Sequence, residues 1–597
     1  MPLAAAVAKT WRLLPHDPGA VERLAGQLGA SPIVAQLLLN RAVTTVEDAR
    51  RFLDIPFSGL YAPDLLPGVA DAADRLLAAV RAGRRICIYG DYDVDGITGT
   101  AILLQCLRLL DAKVHFYVPH RLEEGYGLNC DALRQIAADG TAVVVTVDCG
   151  IGSVAEATEA KRLGLELIVT DHHELRAELP DAAALVHPRL PGTKYPCGKL
   201  SGAAVAFKLA WALAQRASGG VKVTERYREY LLDAVGLAAL GVVADVVPLQ
   251  DENRIIVHHG VRRLRQTSLV GLKALYEEAG LGSGEGLRAS DIGYGLAPRM
   301  NAAGRLGCAR LVVDLLTTTR QDRAAELARC LEEQNQKRQT LERRMLAEAR
   351  ALVEANGFHE APAIVLAHTG WHAGVIGIVA SRLADLYARP SLLVALPTGP
   401  AADKETEHVG VGSGRSIPGF ALNEALEACT DLLIGHGGHQ MAAGFRLRLD
   451  NLNAFRERLC DHTAKFFPGG APPAPTLVLD VETPLSALTL GLLRDLDRLE
   501  PYGAENRKPL FLAGNLQLVG EPRRVGTPDR HLSFRVRQNG TVWKAIAFGM
   551  ADRAGELMSA GGACCLAFTP KMNEWQGWQN VDLVVADLQA GAEARLE

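Results

Sequence analysis

ICIYGDYDVDG, residues 86–96, is an apolar run that stops abruptly on three aspartates, Asp91, Asp93 and Asp95, set at every second position. A short apolar run closed by glycine-flanked polar residues reads as a buried strand, and its carboxylates then crowd one loop at the strand's end. Adjacent carboxylates repel one another unless cations sit among them, so the segment predicts a metal site. D-x-D-x-D-G also opens an EF-hand loop, which needs a glutamate at position twelve and a helix in front. Here position twelve is Ile102 and the preceding run is strand-like. A solvated acidic turn is the other alternative, and the remaining strand ends decide against it.

TAVVVTV (141–147) ends on Asp148, and LELIVT (165–170) ends on Asp171, His172, His173 and Glu174. VGLAALGVVA (235–244) ends on Asp245, with an N-terminal part open to a helical reading. These runs alternate with amphipathic stretches at 98–110, 153–163 and 203–215, the signature of βαβ units and a parallel sheet. Ligands of such sheets bind beyond the carboxyl ends of the strands. Four strand ends would therefore bring Asp91, Asp93, Asp95, Asp148, His172 and Asp245 to one crevice. Carboxylates with one or two imidazoles suit Mn²⁺ or Mg²⁺ better than a thiolate-preferring structural zinc. So many donors exceed the needs of one hydrated ion, whereas two ions about 3.5–4 Å apart fit, with Asp148 as the bridge. A two-ion centre activates water and stabilises the entering and leaving oxygens of a phosphoryl displacement. The predicted chemistry is hydrolysis of a phosphoester or phosphoanhydride.

The strings DYDVDG, VDCG, TDHHE and ADVVPL, in that order, resemble the four motifs of the DHH phosphoesterase superfamily. GWHAGVIGIVASRL (370–383), GSGRS (412–416) and GGHQMAAGF (437–445) resemble the associated domain that follows in that superfamily. The full set is most similar to its branch of single-strand-specific 5′→3′ exodeoxyribonucleases, over nearly the whole chain. The resemblance implies Asp93, Asp95, Asp148, His172 and Asp245 as metal ligands and Asp91 as an acidic neighbour of the catalytic centre. It places His173 near the scissile phosphate, so that His173, Asp148 and Asp91 form the catalytic set. Many superfamily members begin the first motif with a histidine where this chain has Tyr89.

Length and composition agree with such an enzyme. At 597 residues the chain has room for three or four domains. Apolar content of 48 % with 22 % charged residues describes ordinary globular material and excludes a disordered or fibrous chain. Eleven cysteines without metal-ligand spacing, no leader-like segment and no apolar run of membrane length predict reduced thiols in the cytoplasm and no membrane contact. A net charge of −4 requires that any affinity for nucleic acid be local. Candidate contacts are Arg121 in PHRLEEGYG, Arg299, Asn301 and Arg305 in APRMNAAGRLG, and Ser413, Arg415 and Ser416 in GSGRS. Glycines beside Arg415 let backbone N–H groups approach a phosphate that arginine grips bidentately. The resemblance makes this loop and Arg121 the pocket for a terminal 5′ phosphate. His439, in a glycine-rich turn, is a further substrate-binding candidate.

Residues 318–357 read as one long helix with a polar middle, a bridge between domains rather than a core element. The expected layout is α/β. An N-terminal helical region (1–70) precedes a parallel-sheet DHH domain (71–317), the connecting helix (318–357) and a smaller α/β DHH-associated domain (358–467). After the linker PGGAPPAP come short β-rich segments, expected to form an OB-like barrel (468–597) that binds nucleic acid. Trp543, Phe548, Phe568, Trp575 and Trp578, with Lys544 and Lys571, are its candidate stacking and phosphate-tracking residues. The implied function is two-metal exonucleolytic hydrolysis of single-stranded DNA from the 5′ end to 5′-mononucleotides, serving recombination and repair. A monomer, with a single-strand-binding protein and a helicase as further partners, completes that expectation. The alternative is a phosphodiesterase of the same superfamily acting on short oligonucleotides or cyclic dinucleotides.

Overall fold

A computed structural model describes residues 9–121, 123–282, 286–397, 409–527, 529–559, 561–575 and 578–597. The chain divides into two compact units. One comprises Leu60–Val247 and Asp251–Ala474; the other comprises Ala8–Gly59, Pro248–Gln250 and Pro475–Glu597.

The first unit begins with a five-stranded sheet. Strands β1 (Ile86–Gly90), β2 (Val114–Tyr117), β3 (Val143–Val147), β4 (Glu166–Thr170) and β5 (Ala184–Val186) lie in the order β2-β1-β3-β4-β5, every neighbouring pair parallel. β1 and β3 are buried throughout, which explains their unbroken apolar reading, since a strand covered on both faces has no polar side. Helices α1 (Val94–Leu109) and α2 (Gly202–Ala217) pack on the sheet, and α3 (Glu225–Ala244) packs on both of them. One expectation needs correction here. The run 235–244 is not a strand: α3 is helical throughout, and Asp245 is its C-cap. Its last ten residues are mostly buried, and a wholly buried helix shows the same continuous apolar pattern as a buried strand.

Glycine explains how these helices come so close. A Cβ on Gly202 would lie 2.5 Å from Asp148 Oδ1, and one on Gly241 would lie 2.3 Å from Asp95 Oδ1. Any larger residue would push α2 or α3 off the carboxylates.

The short helix α4 (Ala297–Arg305) follows a π-helical turn at Ile292–Leu296, and α5 (Gln321–Ala355) is the expected long helix. A second sheet follows, built from β6 (Ile364–Thr369), β7 (Ser391–Leu396), β8 (Val409–Arg415), β9 (Leu433–Gly438) and β10 (Ala442–Arg448), in the order β9-β10-β8-β7-β6. Only β6 and β7 pair parallel. Helix α6 (Ala373–Tyr387) packs on one face with Leu366, Leu393 and Ala395, and α7 (Leu452–Phe466) packs on the other with Leu392, Val394 and Phe445.

The second unit is a β-barrel. Strands Phe511–Leu518, Ala563–Trp575, Trp578–Ala590, Thr541–Ala547 and His531–Gln538 follow one another, and the first also pairs with the last to close the ring. The segment 8–59 belongs to this unit rather than standing apart. Thr10–Leu13 pairs in parallel with Thr476–Leu479, and the Trp11 indole donates to Asp587 at 2.8 Å. Leu24, Leu37 and Leu38 share one apolar core with Phe511, Phe534 and Phe568. Of the aromatic candidates, Phe568 is core and Trp543 packs against it, while Phe548 and Trp578 are exposed. The Trp575 side chain lies outside the described residues. Lys544 reaches Asp582 at 3.5 Å, and Lys571 is exposed.

Candidate metal centre and basic pocket

β1 delivers the acidic loop at its carboxyl end. Asp93 is the N-cap of α1, its Oδ1 accepting from the backbone N–H groups of Asp95 and Gly96. Asp95, one residue into that helix, accepts from the N–H groups of Gly202 and Ala203, so the first turn of α2 opposes its negative charge. Asp148 follows β3 with φ of 64°, a conformation that turns its side chain off the strand. β4 supplies His172 and His173.

These groups converge. Asp95, His172 and Asp245 form one cluster with potential ligand atoms within 4.8 Å of one another, and Asp91, Asp93 and Asp148 form a second. Asp148 is shared with a third cluster made with His172 and His173. His172 Nε2 lies 3.1 Å from Asp148 Oδ1, 3.6 Å from Asp245 Oδ2 and 3.8 Å from Asp95 Oδ2. Among the described residues Asp91 Oδ1, Asp148 Oδ1 and His172 Nε2 are buried without a hydrogen-bond partner. Buried polar atoms left unsatisfied are costly, and three such atoms at one crevice fit divalent cations as the missing partners. Asp91, set beside the ligands in the sequence reading, thus presents an orphaned oxygen to the same cluster as Asp93.

The electrostatics agree. Burial, then Asp93, pushes Asp95 up to about 7. Burial, then Asp95 and Asp93, pushes Asp245 up to about 9. Asp91 and Asp148 are raised well above the carboxylate range by burial and by the neighbouring aspartates. Burial and His173 hold His172 down to about 3, so it is neutral and free to ligate. His173 behaves oppositely: burial disfavours its charge, yet the Asp171 carboxylate, 2.7 Å from Nδ1, raises it to about 9.

Asp171 is the functional residue that pattern reading passed over. It is buried and accepts from the backbone N–H groups of Ile151 and His172 as well as facing His173. Burial works against its charge, but His173 and His172 hold it at about 2. Its signal was its place in TDHHE, immediately before two histidines. Tyr126 is the other addition, its hydroxyl donating to the Asp148 carbonyl and lying 3.1 Å from His173 Nδ1. Tyr89 turns its hydroxyl to the Gly127 carbonyl and stacks on Tyr117, so it does not replace the superfamily's histidine as a donor to this cluster.

The basic candidates separate into two groups. Arg305, half-buried, donates to the Gly374 carbonyl at the start of α6. Burial, followed by Arg121, Arg415 and Arg338, depresses it to about 9. Arg415 is depressed by burial and by Arg121, and donates to Ser413 Oγ. Three guanidinium groups, those of Arg121, Arg415 and Arg338, thus bear on Arg305, and Arg338 is itself paired with Glu342 at 2.6 Å. Arg338 comes from the polar middle of α5. Arg121 also lies over the Tyr92 ring at 4.8 Å.

The other group is held elsewhere. Arg299 is ion-paired to Glu332 at 2.7 Å and donates to the Gly295 carbonyl. Ser416 is buried, its hydroxyl donating to the Phe420 carbonyl at 2.7 Å. Asn301 accepts from the Val94 N–H and so buttresses the acidic loop. His439, exposed, forms the β9–β10 turn; His372 caps α6, accepting from the Gly374 N–H.

A parallel-sheet domain with carboxylates and imidazoles at its strand ends, coupled to a smaller α/β domain, defines the DHH/DHHA1 class. Residues 85–241 match the DHH family, N-terminal domain, 360–465 the DHHA1 domain, and 479–587 the RecJ OB domain. The single-stranded-DNA-specific exonuclease RecJ of Bacillus subtilis is 38 % identical over 583 residues, 97 % of this chain and 70 % of that protein. Its namesake from Thermus thermophilus is 39 % identical over 532 residues, 88 % of this chain and 72 % of that one. The crystal structure of RecJ in complex with Mn²⁺ from Thermus thermophilus superposes with a TM-score of 0.81 at 34 % identity, covering 98 % of this chain and 80 % of that one. The chain belongs to the RecJ family.

Proposed function

We propose that the chain is a metal-dependent exonuclease specific for single-stranded DNA, removing 5′-mononucleotides from the 5′ end. The observation that carries this reading is the trio of orphaned buried donors, Asp91 Oδ1, Asp148 Oδ1 and His172 Nε2, beside a basic pocket in the same unit. Asp95, His172 and Asp245 would hold one divalent ion, Mn²⁺ or Mg²⁺, and Asp91, Asp93 and Asp148 would hold a second. Ions bound there supply the charge that polarises a phosphodiester and acidifies water. His173, kept protonated by Asp171, donates to a phosphoryl oxygen and offsets its growing charge. Arg305, Arg415 and Arg121, with Ser413, receive the terminal 5′ phosphate, which sets the polarity. Family membership supports single-stranded DNA as substrate, and the C-terminal barrel supports a grip on the strand. Work beside a helicase or a single-strand-binding protein, as a cytoplasmic monomer in recombination and repair, rests on the family resemblance. Among the described residues no helix is long and apolar enough to cross a membrane.

The test compares single strands labelled at either end, with and without a 5′ phosphate, in Mn²⁺ and in chelator. Early release of labelled mononucleotide from the 5′ end, faster with the phosphate and abolished by chelation, is expected. Release from the 3′ end first would reverse the assignment of the pocket.

A further inference from the structure

One loop carries both Arg121, assigned to the terminal phosphate, and Tyr126, whose hydroxyl lies beside His173. It runs from the end of β2 at Tyr117 to the helix Cys130–Ala138, whose N-cap is Asn129. Among its described residues there is no strand or helix, so side chains must give the loop its shape. Glu124 does so. Its Oε2 accepts from the Tyr117 hydroxyl at 2.5 Å and from Asn129 Nδ2 at 3.1 Å, and its Oε1 accepts from the His120 N–H at 2.6 Å. One carboxylate thus holds the entry, the middle and the exit of the loop, through the stronger kind of hydrogen bond. Gly125 and Gly127 both have φ of 84°, and a Cβ on either would meet no atom within 4 Å. The turn rather than packing therefore calls for glycine there. Between them Tyr126 lays its hydroxyl 3.1 Å from the Asp148 carbonyl and 3.1 Å from His173 Nδ1.

The loop is also fastened to the elements around the site. The Tyr89 hydroxyl donates to the Gly127 carbonyl at 3.0 Å and accepts from Asn129 Nδ2 at 3.2 Å. A Cβ on Gly307, two residues beyond α4, would lie 2.0 Å from His120 Nε2, so the loop packs on the turn that follows Arg305. A contiguous path of rings joins Arg121 to His173. The Arg121 guanidinium lies over Tyr92 at 4.8 Å, Tyr92 stands edge-on to Tyr126 at 6.4 Å, and Tyr126 stands edge-on to His173 at 5.5 Å. Among the described residues Glu124 bonds to neither Arg121 nor Tyr126, although it lies between them in the chain. Its side chain is exposed, so it serves the loop rather than the core.

We infer that Glu124 is a positioning residue for the reaction, bracing Arg121 and Tyr126 in one frame so that a terminal phosphate on Arg121 is held in register with His173. The inference rests on the reading that Arg121 receives that phosphate. Binding energy from a group remote from the scissile bond raises kcat only when it is spent on aligning the reacting centre. A loop closed by one carboxylate joins the two, whereas a slack loop would still grip the phosphate without aligning anything.

The experiment uses the full chain with Glu124→Ala, Glu124→Gln, Arg121→Ala and Tyr126→Phe. Rates with Mn²⁺ are measured on single strands with and without a 5′ phosphate and separated into kcat and KM, beside melting curves. Arg121→Ala should erase the preference for the phosphate, and Tyr126→Phe should lower kcat about tenfold. Glu124→Ala should show both losses, in kcat rather than in KM, and melt close to the parent. Glu124→Gln keeps an acceptor for the His120 N–H but sets an NH₂ group against Asn129 Nδ2, and should fall in between. Adding Glu124→Ala to Arg121→Ala should cost no further phosphate preference, because both changes act on one contact. Parental kcat and preference in Glu124→Ala would overturn the inference, as would the loss of one without the other or a loss confined to KM. Equal losses in both Glu124 variants, with melting sharply lowered, would overturn it too and make Glu124 merely structural. A parental preference in Arg121→Ala would instead overturn the assignment of Arg121 to the phosphate.

Discussion

Asp148 Oδ1 lies 3.1 Å from His172 Nε2, and both atoms are buried without a hydrogen bond among the described residues. One atom comes from the end of β3 and the other from the end of β4, neighbouring parallel strands. A bound cation would supply the partner that each atom lacks. Asp148→Asn keeps the shape and removes the charge that serves all the clusters sharing it. Turnover should fall about a thousandfold or more, the loss of several kcal/mol of charge stabilisation, while single-strand binding in chelator persists. Near-parental digestion with Mn²⁺ would remove Asp148 from the ligand set.

Asp171 acts through His173. Asp171→Asn preserves the size of the side chain but loses the charge that keeps the imidazole protonated. We expect kcat to fall about ten- to a hundredfold, as for other residues that orient a catalytic group, with little change in Mn²⁺ affinity. The pH profile should also change, its alkaline limb moving to lower pH as His173 loses its proton earlier. An unchanged profile would make Asp171 merely structural.

Metal removal should make stability fall more steeply with rising pH. In the metal-free fold Asp95 titrates at about 7 and Asp245 at about 9, against an ordinary value of 3.8. The folded protein then holds more protons than the unfolded chain, so the stability these groups contribute is complete below their ordinary value and lost as pH rises through the folded ones. The melting temperature of chelated protein should therefore fall between about pH 6 and pH 9, and Mn²⁺ should flatten that fall. Calorimetry in two buffers of different ionisation enthalpy should find protons released on metal uptake at neutral pH. Uptake without proton release would contradict the raised carboxylates.

Arg415 and Ser416 of GSGRS should separate cleanly. Ser416→Ala removes the donor to the buried Phe420 carbonyl and should cost about 1 kcal/mol of stability, leaving the preference for a 5′ phosphate intact. Arg415→Ala should erase that preference and leave melting nearly unchanged. Comparing rates on phosphorylated and unphosphorylated strands, with melting curves, checks both.

Trp11 anchors the N-terminal segment to the barrel. Trp11→Ala deletes a side chain that is 1 % exposed, together with its bond to Asp587, and should destabilise that unit by about 3–5 kcal/mol. Metal binding should be unaffected, since no metal-centre group lies in that unit. Two separate melting transitions, with only one displaced, are the expected record.

The ends of β1, β3 and β4 were legible from sequence because a buried strand announces itself locally: apolar run, polar stop, glycine. The donor types then pointed to the metal class, and DYDVDG, VDCG and TDHHE carried the resemblance. Sequence alone also determined α5, since long runs of helix formers between breakers are a local signal. Tertiary structure decided what local periodicity cannot carry. It showed that Asp245 arrives on a helix, because a fully buried helix and a buried strand share one pattern. It brought Asp91 to Asp93 and Asp148, turned Ser416 inward while Arg415 faced the pocket, and drew Arg338 from a polar helix into an arginine cluster. It joined Thr10–Leu13 to Thr476–Leu479, 466 residues away. Side-chain alternation and helical period are written along the chain, whereas contacts between distant segments depend on which surfaces remain to be buried once the local elements have formed.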